Sequence, residues 1–198
     1  MIDDRSAKPV GRGRRRAVAW AAGLLAVMAA AGLGALGYSE YVATTDDAAF
    51  YTHWGVDSDH LPYDPQADAR ADIAAGKARA EATGKLLMVT FGANWCPDCL
   101  TLHKNLEDPL TRDYARSTFE IVNVDVGEFG KNADVAQELG VKLNGIPLAV
   151  FFSSDGRPIC DTSRGELEPS RHYTSREILG FLREVAEYRR VVSPDQRQ

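Results

Sequence analysis

Two cysteines, Cys96 and Cys99, are the residues of this sequence whose types and spacing are best suited to chemistry. They enclose Pro97 and Asp98 and directly follow Trp95. An apolar run precedes them and a helix-compatible run follows, which predicts the order strand, loop, cysteine pair, helix. The first turn of a helix favours an anion, because of its free N–H groups and its macrodipole. We therefore expect Cys96 to start the helix with its sulfur in the open, as a thiolate that attacks disulfides, and Cys99 to resolve the mixed disulfide.

Two other uses of this cysteine pair remain open. A metal site usually needs four ligands and the pair supplies two, although His103 could add a third. An inert structural disulfide would need no further residue. The context of the motif favours thiol–disulfide chemistry. We interpret the third cysteine, Cys160, as a buried core thiol and His103 as a half-exposed helix residue.

Size, composition and charge restrict the function classes. The chain has 198 residues, of which 44% are hydrophobic, enough for one domain with a core and extensions. Its net charge of −5 argues against nucleic acid as a partner, which calls for a basic face. Three cysteines are too few for a disulfide-stapled scaffold. We expect neither a cofactor nor a bound metal.

The N-terminal part of the sequence is typical of a membrane anchor. Residues 1–16 contain six basic side chains, and residues 17–37 contain no charge over 21 positions, which is enough for one span. Because the basic flank comes first, it should stay in the cytoplasm while the rest crosses. A cleaved signal peptide, with a small-x-small site at 35–37, is the alternative. We place residues 38–64 in a juxtamembrane linker and the folded domain at 65–192.

Helical and strand patterns follow one another through this domain. Asp64 and Pro65 indicate a helix start, with Asp as the cap and Pro in the first turn, and this helix should end near Gly84. Thr174 and Glu177 form a capping box that opens the last helix. The other predictions, in chain order, are strand 86–91, helix 96–107, a short helix 111–116, strand 119–126, helix 132–139, strand 148–152 with its hairpin partner 157–161, and helix 175–190.

The order of these elements, together with two motifs, resembles the thioredoxin family. The motifs are Ala-Asn-Trp-Cys-Pro-Asp-Cys at residues 93–99 and Gly-Ile-Pro at 145–147, and the resemblance covers about residues 84–190. It implies an α/β three-layer sandwich in which helices flank a central mixed sheet. This fold would follow the single N-terminal transmembrane or signal helix.

The resemblance also implies the shape of the substrate site. The Ile146–Pro147 bond should be cis and should face the cysteines. The backbone before the proline would pair with a substrate chain like an added strand. The residues implied to shape the substrate groove are Trp95, Pro97, Asp98, Ile146 and Pro147.

The sequence departs from the family pattern at positions that handle protons and charge. Thr90 stands where thioredoxins carry a buried acid, and Ile121 stands where a lysine usually partners that acid. The strongly oxidising periplasmic relatives carry a histidine where this chain has Asp98. A carboxylate beside Cys96 should disfavour its thiolate and make the couple more reducing. Residues 127–131 are a longer loop than in compact members, either facing partners or neutral.

These features together predict a bacterial inner-membrane protein with its C-terminal domain in the periplasm, or a secreted one if the N-terminal segment is cleaved. The predicted activity is a thiol–disulfide oxidoreductase in which a Cys96/Cys99 dithiol, forming a redox-active disulfide, reduces or isomerises disulfides of periplasmic proteins. A membrane redox partner is implied, because each turnover changes the oxidation state of the pair. The alternative is a thioredoxin-fold binding, adaptor or metal-delivery module without redox turnover.

Overall fold

The computed structural model describes residues 49–192, with the side chains of 189–192 excepted. The predicted basic N-terminus at 1–16, the predicted span at 17–37 and the first part of the predicted linker lie outside the described residues. Within residues 49–192, no helix is both long enough and apolar enough to cross a membrane.

A four-stranded mixed sheet forms the centre of the domain. Its strands are β1 (Leu86–Gly92), β2 (Phe119–Asp125), β3 (Leu148–Phe152) and β4 (Pro158–Asp161), in the order β2-β1-β3-β4. β1 runs parallel to β2 and antiparallel to β3, which in turn pairs antiparallel with β4. Every residue of β1 is buried, which explains its almost continuous apolar sequence.

Helices cover both faces of this sheet, so the predicted three-layer α/β sandwich is confirmed. The helices are α1 (Ala69–Thr83), α2 (Pro97–Glu107), α3 (Pro109–Thr118), α4 (Ala133–Glu138) and α5 (Ser175–Val192), with a 3₁₀ turn at Ser170–His172. Side chains alternate along a strand. Leu87, Val89 and Phe91 therefore pack in a first core with α1, α4 and the cysteine pair. Leu86 and Met88 pack in a second core with α2, α3 and α5.

The start of α1 differs from the sequence prediction. Asp64 and Pro65 do not open the helix, because the Asp64 carboxylate accepts a hydrogen bond from the Gln66 N–H at 2.7 Å and closes a turn. The N-cap is Asp68, whose side chain accepts from two N–H groups of the first turn. The predicted end is confirmed, with Gly84 in the left-handed conformation.

The described part of the predicted linker packs on the domain. Tyr63 is only 2% exposed and belongs to the first core, and Val56 is buried as well. The Asn94 side chain holds the backbone of Tyr63 from both sides: its Oδ1 accepts from the Tyr63 N–H at 3.1 Å, and its Nδ2 donates to the Tyr63 carbonyl at 2.7 Å. Asn94 lies two residues before Cys96, so this upstream segment is joined directly to the loop that carries the cysteines.

Candidate active site

Cys96 is the N-cap residue of α2, as the sequence predicts. Its φ of −90° and ψ of 112° are extended, and its Sγ accepts a hydrogen bond from the Cys99 N–H at 3.3 Å. Pro97 occupies the first turn, where its missing N–H costs nothing. The pKa of Cys96 is lowered, first by a hydrogen bond with the Cys99 thiol and also by the Cys99 N–H, against the opposing effect of burial. Cys96 is therefore the thiol of the pair that ionises more easily.

The expectation that the Cys96 sulfur lies in the open is wrong. Cys96 is only 5% exposed and belongs to the first core. Its Sγ lies 4.0 Å from the carbonyl oxygen of Ile146, within the distance of a weak sulfur hydrogen bond. The loop before β3 thus lies against the sulfur.

The Ile146–Pro147 bond is cis, as the resemblance to thioredoxins implied. Ile146 is buried and Leu148 begins β3 directly after the proline. The contact between the Ile146 carbonyl and Cys96 therefore brings the two sequence motifs together at one point.

Cys99 has properties opposite to those of Cys96. It is fully buried, and its pKa is raised far above that of an ordinary thiol, first by burial and then by its interactions with Cys96. Cys96, Cys99 and Cys160 are all free thiols. A low-pKa thiol at a helix start and a buried, protonated thiol one turn later can act as attacking and resolving groups.

Asp98 is buried and paired with Arg171, a residue that the sequence did not indicate. Arg171 Nε lies 3.0 Å from both carboxylate oxygens, its Nη2 also contacts Oδ2, and its backbone N–H donates to Oδ1 at 2.8 Å. The negative charge of Asp98 raises the pKa of Cys96, as predicted, but other contacts outweigh it. Hydrogen bonding to Asp98 in turn raises the pKa of Arg171. A buried carboxylate is usually paired with a cation. Because Asp98 and Arg171 are 73 positions apart in the chain, the sequence did not show which cation would pair with it.

Trp95 and Phe129 form an exposed aromatic pair beside the cysteines. Their rings lie 5.6 Å apart, and they are 41% and 45% exposed. Trp95 Nε1 donates to the Gly127 carbonyl at 2.9 Å, which fixes the indole on the 127–131 loop. Phe129 has a positive φ of 66°, which is unusual for a bulky residue. The predicted groove residue Trp95 thus has a partner that the sequence did not identify.

Thr90, which the resemblance predicts to stand where thioredoxins carry a buried acid, offers no titratable group. It is buried, and its Oγ1 has no hydrogen-bond partner among the described residues. Ile121 lies opposite Met88 in the β1–β2 register, whereas Asn123 lies opposite Thr90. Neither Thr90 nor Ile121 carries an acidic or basic group.

Tyr63 is the phenol that does approach the cysteine pair. Its pKa is raised well above the usual value, first by burial, then by the charges of Cys99 and Cys96 and by a hydrogen bond with Cys99. Sequence reasoning placed this residue in the linker. The only feature of the sequence that could have indicated a packed Tyr63 was its aromatic character upstream of the first helix.

The remaining candidates lie outside this arrangement. His103 is half-buried, and burial lowers its pKa. Cys160 is half-buried against the second core, and burial, followed by Asp161 and Glu166, raises its pKa to about 11. Among residues 49–192 no group of three His, Cys, Asp or Glu side chains could hold a metal ion.

The chain is similar to known thioredoxin-like proteins. A family model described as thioredoxin-like matches residues 68–154. A disulphide isomerase from Xylella fastidiosa Temecula1, of known structure, is 35% identical, covering 64% of this chain and 98% of that one, with a TM-score of 0.62. A thioredoxin from Thermus thermophilus is 23% identical, covering 64% of this chain and 85% of that one, with a TM-score of 0.41. No curated protein sequence matches the chain.

Proposed function

This chain belongs to the thioredoxin-like family, and from that premise we propose that it is a thiol–disulfide oxidoreductase that reduces or isomerises disulfides in proteins. The observation that carries the proposal is the placement of two neighbouring thiols: Cys96 is the N-cap of α2 and lies against the Ile146 carbonyl, and Cys99 is fully buried one turn later. The pKa of Cys96 is lowered at the start of α2, whereas that of Cys99 is raised in the core.

The reaction uses two exchange steps. The Cys96 thiolate attacks one sulfur of a substrate disulfide, forms a mixed disulfide and releases the other substrate sulfur as a thiolate. Cys99 then loses its proton and attacks Cys96 Sγ, which forms the Cys96–Cys99 disulfide and releases the second substrate thiol. The substrate gains the two electrons that the dithiol loses. In isomerisation, a substrate thiol attacks the mixed disulfide instead, and the pair returns to its dithiol form.

Two observations support the reductive or isomerising direction. The Asp98 carboxylate opposes the Cys96 thiolate and so makes the couple more reducing than it would be without that charge, although the pKa of Cys96 remains lowered overall. Arg171 neutralises part of this charge, so Asp98 makes the couple less reducing than its position in the sequence suggests. The Xylella fastidiosa protein, 35% identical to this chain, is described as a disulphide isomerase.

The substrate groove is proposed to lie between the aromatic pair and the loop before β3. Trp95 and Phe129 offer exposed apolar surface on one side of Cys96. The loop before β3 contributes the cis Pro147 and the buried Ile146, whose carbonyl oxygen lies 4.0 Å from Cys96 Sγ. An extended substrate segment could add to the backbone there as a strand does, with Pro97 and Asp98 beneath the scissile disulfide.

We place this chemistry in the bacterial periplasm, with residues 17–37 as a single-pass anchor in the inner membrane. The uncharged segment after a basic flank supports this location. Turnover as a reductase consumes electrons, so a membrane redox partner would have to reduce the Cys96–Cys99 disulfide again.

The first experiment is the redox equilibrium of the Cys160→Ala chain, in detergent, against glutathione buffers. A potential near or below about −250 mV would support a reductant, and one above about −150 mV would place the protein among oxidants. A Cys99→Ser variant, which cannot form the intramolecular disulfide, is the control. If the pair never equilibrates with the buffer under native conditions, a binding or adaptor module without redox turnover replaces the proposal.

A further inference from the structure

The second exchange step requires the least accessible group of the site to ionise. Cys99 is fully buried, and burial is the main cause of its raised pKa. It must nevertheless attack Cys96 as a thiolate. A polar group that stabilises charge on Cys99 would therefore accelerate this step more than any other.

The side chain of Tyr63 interacts with the cysteine pair, since a hydrogen bond with Cys99 and the charges of both cysteines contribute to its raised pKa. It shares the first core with both cysteines and is almost completely buried. A Cβ atom built on Gly92, at the end of β1, would lie 2.5 Å from the Tyr63 Oη and 2.7 Å from its Cε1. The phenol thus occupies the space that a side chain at residue 92 would fill, four residues before Cys96.

The position of this phenol is fixed through its own backbone. Asn94 bonds to both the N–H and the carbonyl of Tyr63, and Asn94 belongs to the loop between β1 and Cys96. The same loop therefore positions the nucleophile and the phenol. Movement of the Tyr63 backbone relative to this loop would break two hydrogen bonds.

Thr90 and Asp98 are less suited to this role. The hydroxyl of Thr90, at the position of the family's acid, makes no hydrogen bond with any described residue. Asp98 is engaged by Arg171 and acts on Cys99 as a repulsive charge. Burial keeps the pKa of Tyr63 well above its usual value, so the phenol retains its proton and can donate a hydrogen bond to a thiolate.

We propose that Tyr63 is the hydrogen-bond donor that stabilises the Cys99 thiolate as it resolves the mixed disulfide. In this chain, the donor therefore comes from the segment that precedes the 93–99 motif. The inference rests on the proposed thiol–disulfide activity. The phenol O–H stays intact throughout. The proton of Cys99 passes to the departing substrate thiolate or to water, while the Cys96–substrate S–S bond breaks and the Cys96–Cys99 bond forms.

The test follows the two steps separately in the full chain, in detergent, on a Cys160→Ala background. One equivalent of an aromatic disulfide that releases a coloured thiolate is mixed with the reduced protein in a stopped-flow instrument. The first equivalent of thiolate reports attack by Cys96, and the second reports resolution by Cys99. A Cys99→Ser variant shows the first phase alone and calibrates its amplitude.

Tyr63→Phe removes the hydroxyl and keeps the ring. Losing a hydrogen bond to a charged group reduces the thiolate population about ten- to a hundredfold. Because the more basic thiolate is also more nucleophilic, about half of this loss is offset on a logarithmic scale. We expect the second phase to slow about three- to tenfold and the first phase to keep its rate. Tyr173→Phe, which removes a hydroxyl bonded to the Glu166 carbonyl at 3.0 Å, is the matched control and should change neither phase.

A second variant separates hydrogen bonding from packing. A tyrosine fluorinated beside its hydroxyl is a stronger donor of nearly the same size, and at position 63 it should accelerate the second phase. An unchanged second phase in Tyr63→Phe, or equal slowing of both phases, would overturn the role of Tyr63 while leaving the proposed function intact. A wild-type chain that releases only one equivalent would overturn the proposed function itself.

Discussion

Replacing Gly92 with alanine should destabilise the domain by forcing the Tyr63 ring out of its site. The new Cβ would lie 2.5 Å from the Tyr63 Oη and 2.7 Å from Cε1, both far inside van der Waals contact. The ring has little room to retreat, because it is 2% exposed and Asn94 holds its backbone. Overpacking of this kind costs about 1–3 kcal/mol. For a domain of this size, that corresponds to a Tm lower by about 2–12 °C.

The assay is thermal unfolding of the reduced protein, followed by circular dichroism. Gly180→Ala is the matched control, because a Cβ added at this position in α5 would meet no other atom within 4 Å. It should stabilise the protein by about 0.5–1 kcal/mol, the ordinary gain of alanine over glycine in a helix. Opposite signs for the two substitutions would show that the loss is specific to the Gly92 site.

A double-mutant cycle decides whether the ring is the cause. Tyr63→Leu shortens the side chain and makes space for the new methyl group at residue 92. The combined variant should therefore be more stable than the sum of the single changes predicts, by about 1 kcal/mol or more. If Gly92→Ala costs the same with leucine at position 63 as with tyrosine, the packing of Tyr63 against β1 is refuted, and with it the basis for its role in resolution.

Three further outcomes test the charges and surfaces of the site. Because its pKa is lowered, Cys96 should react with iodoacetamide at pH values at which an ordinary thiol does not, and acidification through its pKa should stop the reaction. If the alkylation rate has its midpoint at the pKa of an ordinary thiol, this prediction is contradicted. Arg171→Gln leaves the Asp98 carboxylate unpaired and should move that midpoint to higher pH, whereas Arg164→Gln, which lines the same surface pocket, should not. Phe129→Ala should raise KM for protein disulfides about three- to tenfold and leave kcat for a small disulfide unchanged; an equal effect on both substrates would argue against a docking surface.

The parts of the site that could be predicted from sequence are local. Cys96 caps α2 because the strand, the loop and the Pro in the first turn are consecutive in the chain. The cis bond before Pro147 was implied by a three-residue motif. The capping box is also confirmed, since Thr174 and Glu177 bond each other at 2.7 to 3.3 Å. In each case the residues that interact lie within a few positions of one another.

The parts that escaped prediction depend on contacts between distant residues. Asn94 and Tyr63 are 31 positions apart, and Asp98 and Arg171 are 73 apart, so no periodicity or spacing relates them. The burial of Cys96 has the same origin, because the loop that covers it follows it by 50 residues. Even the local error at the start of α1 has a structural cause, because Asp64 and Asp68 are both able to cap a helix. Only the folded structure shows that Asp64 closes a turn and that Asp68 is the N-cap.

The two hydrogen bonds between the Asn94 side chain and the Tyr63 backbone have a consequence for protein engineering. The segment that matches the family model ends at residue 154 and begins at residue 68, so it contains Asn94 and Asp98 but neither of their partners. A chimera that grafts this segment onto another scaffold would therefore carry both cysteines, but Asn94 would lack the Tyr63 backbone that it bonds and the buried Asp98 would lack Arg171. Exchange of modules between relatives should succeed only when the grafted piece extends from before Tyr63 to beyond Arg171.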